Sequence, residues 1–162
     1  MIDYDNMRAI VCKGLKEYLN CPVIRSNQNE TPPPYPFISY TVTRPMSENK
    51  GTYGVYEDGV KRKPVNQTWS ITALSDDNSE SVALAVKARE WLDCFGTTYL
   101  SDNGVIVQSV GGVTNRDNFL TTGYEDRIGF DCFFWLFDTI ESESEHDGDI
   151  EEAGIPNIIK SN

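Results

Sequence analysis

The stretch that decides the fold lies near the carboxyl end of the chain and reads YEDRIGFDCFFWLF over positions 124–137. Its apolar residues alternate with others, which predicts a long β-strand, because successive side chains of a strand point to opposite faces. One face carries the residues of a core strand, namely Ile128, Phe130, Cys132, Phe134 and Leu136. The opposite face begins polar and ends in three large aromatic residues, Phe133, Trp135 and Phe137. A strand with one face in water does not end in this way, so the three aromatic residues need a cover.

The sequence leaves two alternatives for what shields this aromatic face from water. Either a helix of the same chain packs on it, or another subunit does. The sequence predicts only two helices and a sheet has two faces, so the sequence does not choose between them. If both helices pack on the other face, the aromatic residues form a contact patch of the kind found at stable interfaces.

The two helices are predicted from apolar residues at three- and four-residue spacings. The first covers about residues 3–19 and ends at Asn20-Cys21-Pro22, because proline disfavours a helical residue before it. The second begins at Asp77, and Glu80 three residues later completes a capping box. Its buried stripe comprises Leu84, Ala88, Trp91, Leu92 and Phe95. Gly96 is its predicted terminator.

Alternating residues predict further strands at 23–26, 37–44, 65–74 and 105–110. Residues 27–36 contain four prolines and form an extended connector, and residues 115–123 form a polar loop. Residues 45–64 contain three glycines, two tyrosines and mixed charge. Compact domains rarely keep so long a connection unless it has a role, so we interpret it as a protruding β-hairpin arm. The predicted fold class is α+β: a small mixed, mostly antiparallel sheet with two packed helices and this arm.

Charge divides the chain into a domain and a tail. The 162 residues include 14 Lys or Arg and 25 Asp or Glu, a formal net charge of −11, and seven of the acids lie in residues 141–162. That segment has no aromatic residue and cannot bury enough apolar surface to offset ordering. We predict a folded domain at 1–140 and an acidic, disordered tail at 141–162. With no apolar run of about 20 residues and no signal peptide, the sequence predicts a soluble product made in the cytoplasm.

The composition predicts neither a catalytic residue nor a metal or cofactor site. The four cysteines, Cys12, Cys21, Cys94 and Cys132, are far apart and are interpreted as reduced thiols. The single histidine, His146, lies in the tail, away from any zinc ligand or nucleophile. We interpret Asp76-Asp77 as a helix cap and Glu125-Asp126 as the exposed start of a strand. The acidic stretch from Glu143 matches an EF-hand loop only in part, because Gly154 stands where a bidentate Glu is needed.

Candidate interface residues lie in the predicted arm and in the last strand. The segment Lys61-Arg62-Lys63 is the one basic cluster of the sequence. Because the protein is acidic overall, we rank solvation of these side chains first, contact with a protein partner second and contact with nucleic acid a distant third. Tyrosines beside it offer contact area at low entropic cost. The predicted subunit or partner interface comprises Tyr53, Tyr56, Lys61, Arg62, Lys63, Phe133, Trp135 and Phe137.

The order of these elements resembles the neck or tail terminator proteins of tailed bacteriophages over about residues 1–140. The resemblance lies in the opening helix, the proline–aromatic segment PYPFISY at 34–40, the hairpin arm, the strand with Trp69, the capped helix and the aromatic last strand. It implies a small α/β domain without catalysis. It also implies a hexameric ring that terminates the tail tube and joins it to the head-side connector, with double-stranded DNA passing through without specific binding.

The same resemblance implies the partners and the location. The partners are other copies of the chain, the tail tube protein and the head-side connector or stopper protein, and the location is the neck of a virion assembled after synthesis in the bacterial cytoplasm. One alternative is that the protein is a neighbouring neck component, such as a tail completion or stopper protein. A second alternative is a monomeric adaptor whose segment 32–36 or acidic tail recruits a partner. A small enzyme that uses Asp or Glu is the third hypothesis.

Overall fold

A mixed sheet with helices packed on it makes up the part of the chain that the structure, a computed structural model, describes: residues 1–48, 54–117 and 125–141. The helices there are α1 (Tyr4–Leu19), α2 (Asn78–Glu90) and α3 (Thr97–Asp102), with a π-helical turn (Trp91–Phe95) between the last two. The strands are β1 (Val23–Arg25), β2 (Phe37–Ser47), β3 (Val55–Glu57), β4 (Val60–Ser75), β5 (Ile106–Val110), β6 (Thr114–Asn115) and β7 (Asp126–Glu141).

The sheet is built around the pairing of β4 with β7. These two strands run antiparallel over all 16 residues, from Val60 opposite Glu141 to Ser75 opposite Asp126. The strand order is β1-β2-β4-β7-β5, with β3 beside β4 and β6 beside β7, and among the described strands only β1 joins its neighbour in parallel. The predicted α+β class with a mixed, mostly antiparallel sheet is therefore confirmed. Both long strands exceed their predicted bounds because each continues the other's ladder.

All three helices pack on one face of the sheet. That face carries Ile128, Phe130, Cys132, Phe134 and Leu136, all buried as predicted, together with the inward residues of β4. Trp69 lies in this core, stacked on Tyr40 at 4.9 Å and edge-on to Phe134 at 5.5 Å between ring centroids. The buried Gln67 amide donates to the Pro45 carbonyl at 2.9 Å and accepts from the Trp69 indole at 2.5 Å, so its polar atoms are satisfied.

The start of α2 confirms one part of the predicted cap and changes the other. The Asp77 carboxylate accepts from the Ser79 amide at 3.0 Å, as an N-cap residue should. Glu80 does not return to the Asp77 backbone. Instead it accepts from the hydroxyl of Ser75, and that hydroxyl accepts from the Asp77 amide at 3.1 Å. Ser75, the last residue of β4, therefore bridges the Glu80 carboxylate and the Asp77 amide, and this links the start of the helix to the sheet.

The end of the second helix differs from the prediction, and Phe95 differs most. The helical region does not end at Gly96 but continues as α3, so the described residues contain three helices where two were expected. The Gly96 amide donates to the Trp91 carbonyl at 2.6 Å, five residues back, which makes this turn π-helical. One extra residue in a turn rotates the following side chains by about 100°. Trp91 and Leu92 are buried as predicted, but Phe95 leaves the core and is 66% exposed.

The predicted arm lies partly within the described residues. Its first residues extend β2 to Ser47, and β3 forms a tight hairpin with the start of β4 through Asp58 and Gly59, both at positive φ. Residues 49–53, including Tyr53, lie outside the described ranges, so the projecting arm stays a prediction. Most of the predicted polar loop, Tyr124, and residues 142–162 with His146 also lie outside the described ranges, so the predictions for them are not tested. In the described part, no helix is long and apolar enough to cross a membrane.

Candidate subunit interface

The face of the sheet opposite the helices, here called the open face, is covered at one end by the chain itself. The proline-rich connector crosses it there, and Phe37 and Leu74 are buried although they point away from the core. Tyr35 stacks on Phe37 with ring centroids 5.7 Å apart, and the peptide bond between Tyr35 and Pro36 is cis. A cleft of about 460 Å³ lies between the connector and the sheet. The connector thus replaces a helix at this end of the open face.

A polar network closes the cleft. The Tyr35 hydroxyl donates to Glu125, and the Arg127 guanidinium donates to the same carboxylate at 2.8 Å. The hydrogen bond to Glu125 is the largest cause that raises the pKa of Tyr35 to about 12. The interpretation of Glu125 as an exposed strand start is therefore wrong, because its side chain is only 21% exposed and has two partners. The carboxylate holds the connector in place.

The centre of the open face is polar and occupied by one side chain. Arg116, from the segment after β6, lies across the sheet, where its guanidinium donates to Ser70 and pairs with Asp131 at 3.0 Å. Gly129 makes room for it, since a Cβ there would lie 2.5 Å from the Ile71 carbonyl oxygen and 3.0 Å from Arg116. The charges of this central strip are therefore paired within the subunit.

The far end of the open face is apolar and uncovered. Phe133 and Trp135 are each 37% exposed and Phe137 is 55% exposed. Ile106 of β5 lies opposite Trp135 in register and is 37% exposed, so it joins the same surface. We call these four residues the open-face patch. Among the described residues no helix lies over it, which removes the first of the two covers that the sequence left open.

Two cations border the open-face patch. Register places Arg44 in one cross-strand row with Thr68 and Phe133, and Arg62 opposite Thr139, two residues beyond Phe137 on the same face. Both arginines are exposed, and neither has an ion pair within the described ranges. The same register places Glu57 and Glu141, both opposite Val60, on this face, so the edge of the patch carries exposed charges of both signs.

The structure divides the remaining predicted interface residues between two faces. Arg62 shares the open face with the aromatic residues, whereas Lys61 and Lys63 point to the opposite side because the strand alternates. Tyr56 lies opposite Lys61 and is 61% exposed. Lys63 forms an ion pair with Glu48. The basic cluster therefore does not act as one unit.

Sequence reasoning missed Ile106 and Arg44 at this surface. Ile106 was within a predicted strand, but its face follows only from the register with Trp135. Arg44 reaches the open face because β2 has a register shift between Val42 and Arg44. A bulge of this kind moves a side chain from one face to the other and leaves no reliable mark in the sequence.

The buried cysteines of the domain favour packing over nucleophilic chemistry. Burial raises the pKa of the Cys12, Cys21 and Cys132 thiols, which lowers their thiolate fraction and makes them poor nucleophiles. All four cysteines are free, and Cys94 is the exposed one. Over the described ranges, no group of three or more His, Cys, Asp or Glu side chains is placed to hold a metal ion.

Comparison with known proteins gives one family. The model of the phage neck terminator proteins matches residues 5–162. No curated protein matches this chain. A solved structure without a functional description aligns with 84% of this chain and 96% of its own, at 13% identity and a TM-score of 0.42.

The family match covers nearly the whole chain, including the segment after β7. It agrees with the resemblance seen in the order of elements and in the PYPFISY segment. Such proteins are structural components of the virion neck and interact with other head or tail components. The chain belongs to the phage neck terminator protein family.

Proposed function

We propose that this chain assembles into a hexameric ring that terminates the tail tube and joins it to the head-side connector, with double-stranded DNA passing through the lumen. The observation that carries the proposal is the open-face patch. Phe133, Trp135 and Phe137 form a continuous row at one end of a sheet face, and each is more than a third exposed. Contiguous apolar surface of this kind on one subunit marks a protein contact.

The residues of the hairpin supply the other contacts. Arg62 lies on the open face and meets the neighbouring subunit. Tyr56 and Lys61 point to the opposite side, where they face the tail tube protein or the connector. Lys63, which pairs with Glu48, follows on the same strand, and we assign Tyr53, which lies outside the described residues, to the same contact on the basis of the sequence. An exposed tyrosine suits such a surface, because it offers a large area at low entropic cost.

The role needs neither catalysis nor tight DNA binding. The net charge of −11 repels phosphates, so DNA can slide through a lumen without the counterion release that drives binding. We expect no retention of duplex DNA even at low salt. In this proposal the protein is a structural joint, and we assign no catalytic residue to it.

The ring is tested by light scattering and by negative-stain electron microscopy of the purified chain, alone and with its tail tube protein. Six copies of the 18.2 kDa chain weigh about 109 kDa. We expect that mass and an annulus with a central hole in at least one of the two samples. A strict monomer in both samples would refute the proposal.

A shortened chain separates the ring from the adaptor alternative. A chain that ends at Glu141 keeps every described strand and lacks the acidic segment. We expect this chain to form the same ring, since the open-face patch is intact. If removal of residues 142–162 abolished all association, the acidic segment and not the sheet would be the contact, and the ring interface proposed here would be wrong.

A further inference from the structure

The open-face patch has a candidate occupant in the sequence of the same chain. β7 ends at Glu141, four residues after Phe137, and strand alternation places both side chains on the open face. The chain therefore leaves the sheet at the edge of the patch. Residues 142–162, which lie outside the described ranges, continue from this point, so they begin beside the exposed aromatic row.

This segment divides into a charged part and an apolar part. Residues 142–152 contain all six of its acidic side chains, among them Glu143 and Glu145. Residues 153–159 read AGIPNII, with three isoleucines and no charged side chain. So short a stretch cannot form a core by itself, because its apolar area does not offset the cost of ordering. A preformed apolar surface lowers the requirement, since the stretch then has only its own side chains to bury.

The charged part has the length that brings the apolar part onto the patch. Along β7, Phe137 lies roughly 13 Å and Phe133 roughly 26 Å before Glu141, at 3.3 Å per residue. The 11 residues 142–152 span at most roughly 36 Å when extended. A random coil of that length spans roughly 18 Å, which lies between the two distances. The effective concentration of residues 153–159 at the patch is therefore about millimolar, far above that of other chains in dilute solution.

The area of the patch also suits a short segment. Phe133, Trp135 and Phe137 are 37%, 37% and 55% exposed, which leaves about 280 Å² of aromatic side-chain surface in water. Each partner in a stable protein interface buries about 800 Å². A neighbouring subunit therefore needs further surface beside the patch, whereas seven residues with three isoleucines are accommodated by the patch itself.

Charge neither drives nor opposes this contact. The edge of the patch carries exposed side chains of both signs, namely Arg44, Arg62, Glu57 and Glu141. The stretch that meets the aromatic rings is uncharged, and the acidic side chains precede it in the linking residues. The contact is therefore apolar, and the experiment that tests it needs a probe that does not respond to charge.

We propose that residues 153–159 of each subunit dock on the open-face patch of that same subunit before it assembles. Ile155, Ile158 and Ile159 pack on the aromatic rings, and Trp135 loses its exposure to water. A neighbouring subunit needs the same patch, so ring formation displaces the segment, and the segment holds free subunits apart. The docking does not depend on the ring, whereas its effect on assembly rests on the ring proposed above.

Quenching of tryptophan fluorescence by acrylamide, which is uncharged, tests the docking in the single subunit. Trp135 is 37% exposed, whereas Trp69 and Trp91 are 1% and 5% exposed, so the quencher reports on the patch. The full chain is compared with the chain that ends at Glu141, both at dilutions where sedimentation velocity shows monomers. We expect a higher quenching constant for the shortened chain, and we expect this difference to vanish when both chains carry Trp135→Phe.

Two matched variants of the full chain separate apolar docking from an effect of charge. Ile155→Ser, Ile158→Ser and Ile159→Ser together should raise quenching to the level of the shortened chain. Glu143→Gln and Glu145→Gln together should leave quenching as in the full chain, and thermal unfolding checks that both variants fold. Equal quenching of the full and the shortened chain would overturn the inference. A rise in the glutamine variant as large as that in the serine variant would also overturn it.

The assembly readout distinguishes failure of this inference from failure of the ring. If the segment is docked 90% of the time, the apparent contact between full-length subunits is about tenfold weaker than between shortened ones. Equal assembly of the two chains over a dilution series, or rings of the full chain at every dilution, would overturn the inference and leave the ring standing. Monomers of both chains, with and without the tail tube protein, would refute the ring, and the quenching difference would then stand alone.

Discussion

Replacement of Phe137 by alanine gives the most direct measure of what the open-face patch contributes. Phe137 is 55% exposed in the single subunit. A phenylalanine side chain has roughly 200 Å² of surface to bury, so a neighbour that covers the exposed part removes about 110 Å² from water. At about 25 cal/mol per Å², this is ~3 kcal/mol for each contact between subunits. Phe137→Ala should lose that amount.

The expected readout is the concentration at which half of the chains are in rings. A loss of ~3 kcal/mol per contact corresponds to about a 100-fold weaker contact, so this concentration should rise by at least about 100-fold. The part of Phe137 already covered in the subunit is about 90 Å², which limits the loss in unfolding free energy to ~2 kcal/mol. Sedimentation velocity over a dilution series measures the first quantity, and urea unfolding of dilute protein measures the second.

Ile140→Ala is the matched control for Phe137→Ala. Ile140 lies three residues further along the same strand, is 50% exposed and points to the opposite face of the sheet. Its removal should leave ring formation within a few-fold of the wild type. If Phe137→Ala assembled as well as the wild type, or if both variants lost assembly equally, the open-face patch would not be the contact and the reasoning would fail.

Three further predictions concern the fold. Phe134→Ala, on the core face, should cost ~3–5 kcal/mol in urea unfolding, and a smaller loss than that of Phe137→Ala would contradict the assigned faces. Asp77→Ala should cost about 1 kcal/mol, since the Ser79 amide loses its acceptor; no change would contradict the cap. Burial chiefly raises the pKa of Tyr40 to about 12 from 10, so unfolding free energy should fall as pH rises from 10 to 12, less steeply in Tyr40→Phe; equal slopes would contradict this.

The core face and the class of fold could be predicted from the sequence. Alternation in residues 124–137 assigned Phe130 and Phe134 to the core and Phe133 and Phe137 to the other face, and the structure confirms this for these four residues. Local patterns suffice here because the side-chain period of a strand is two, whatever its partners are. The Asp77 cap of α2 was equally readable, since Asp77 acts within its own turn, whereas the partner of Glu80 was not, because Ser75 belongs to the preceding strand.

The bend that exposes Phe95 could not be predicted. A 3.6-residue period carried through position 96 buries Phe95, and only the contact of Gly96 with the Trp91 ring changes the period locally. That contact requires α1 to pack beside α2, with Gly14 against the same indole. Packing between residues far apart in the chain therefore decides that the Phe95 side chain points to the surface instead of into the core.

What the sequence by itself determined is which side chains share a face, in the alternation of β7 and in the stripe of the second helix as far as Leu92. It also determined the acidic composition, which disfavours DNA binding. Only the tertiary structure decided which faces are covered. It placed the three described helices on one side of the sheet and the proline-rich connector over one end of the other side, and it joined Ile106 and Arg44 to the aromatic row. Periodicity is a local property of the chain, whereas coverage depends on strand order and register, which follow from packing between distant segments.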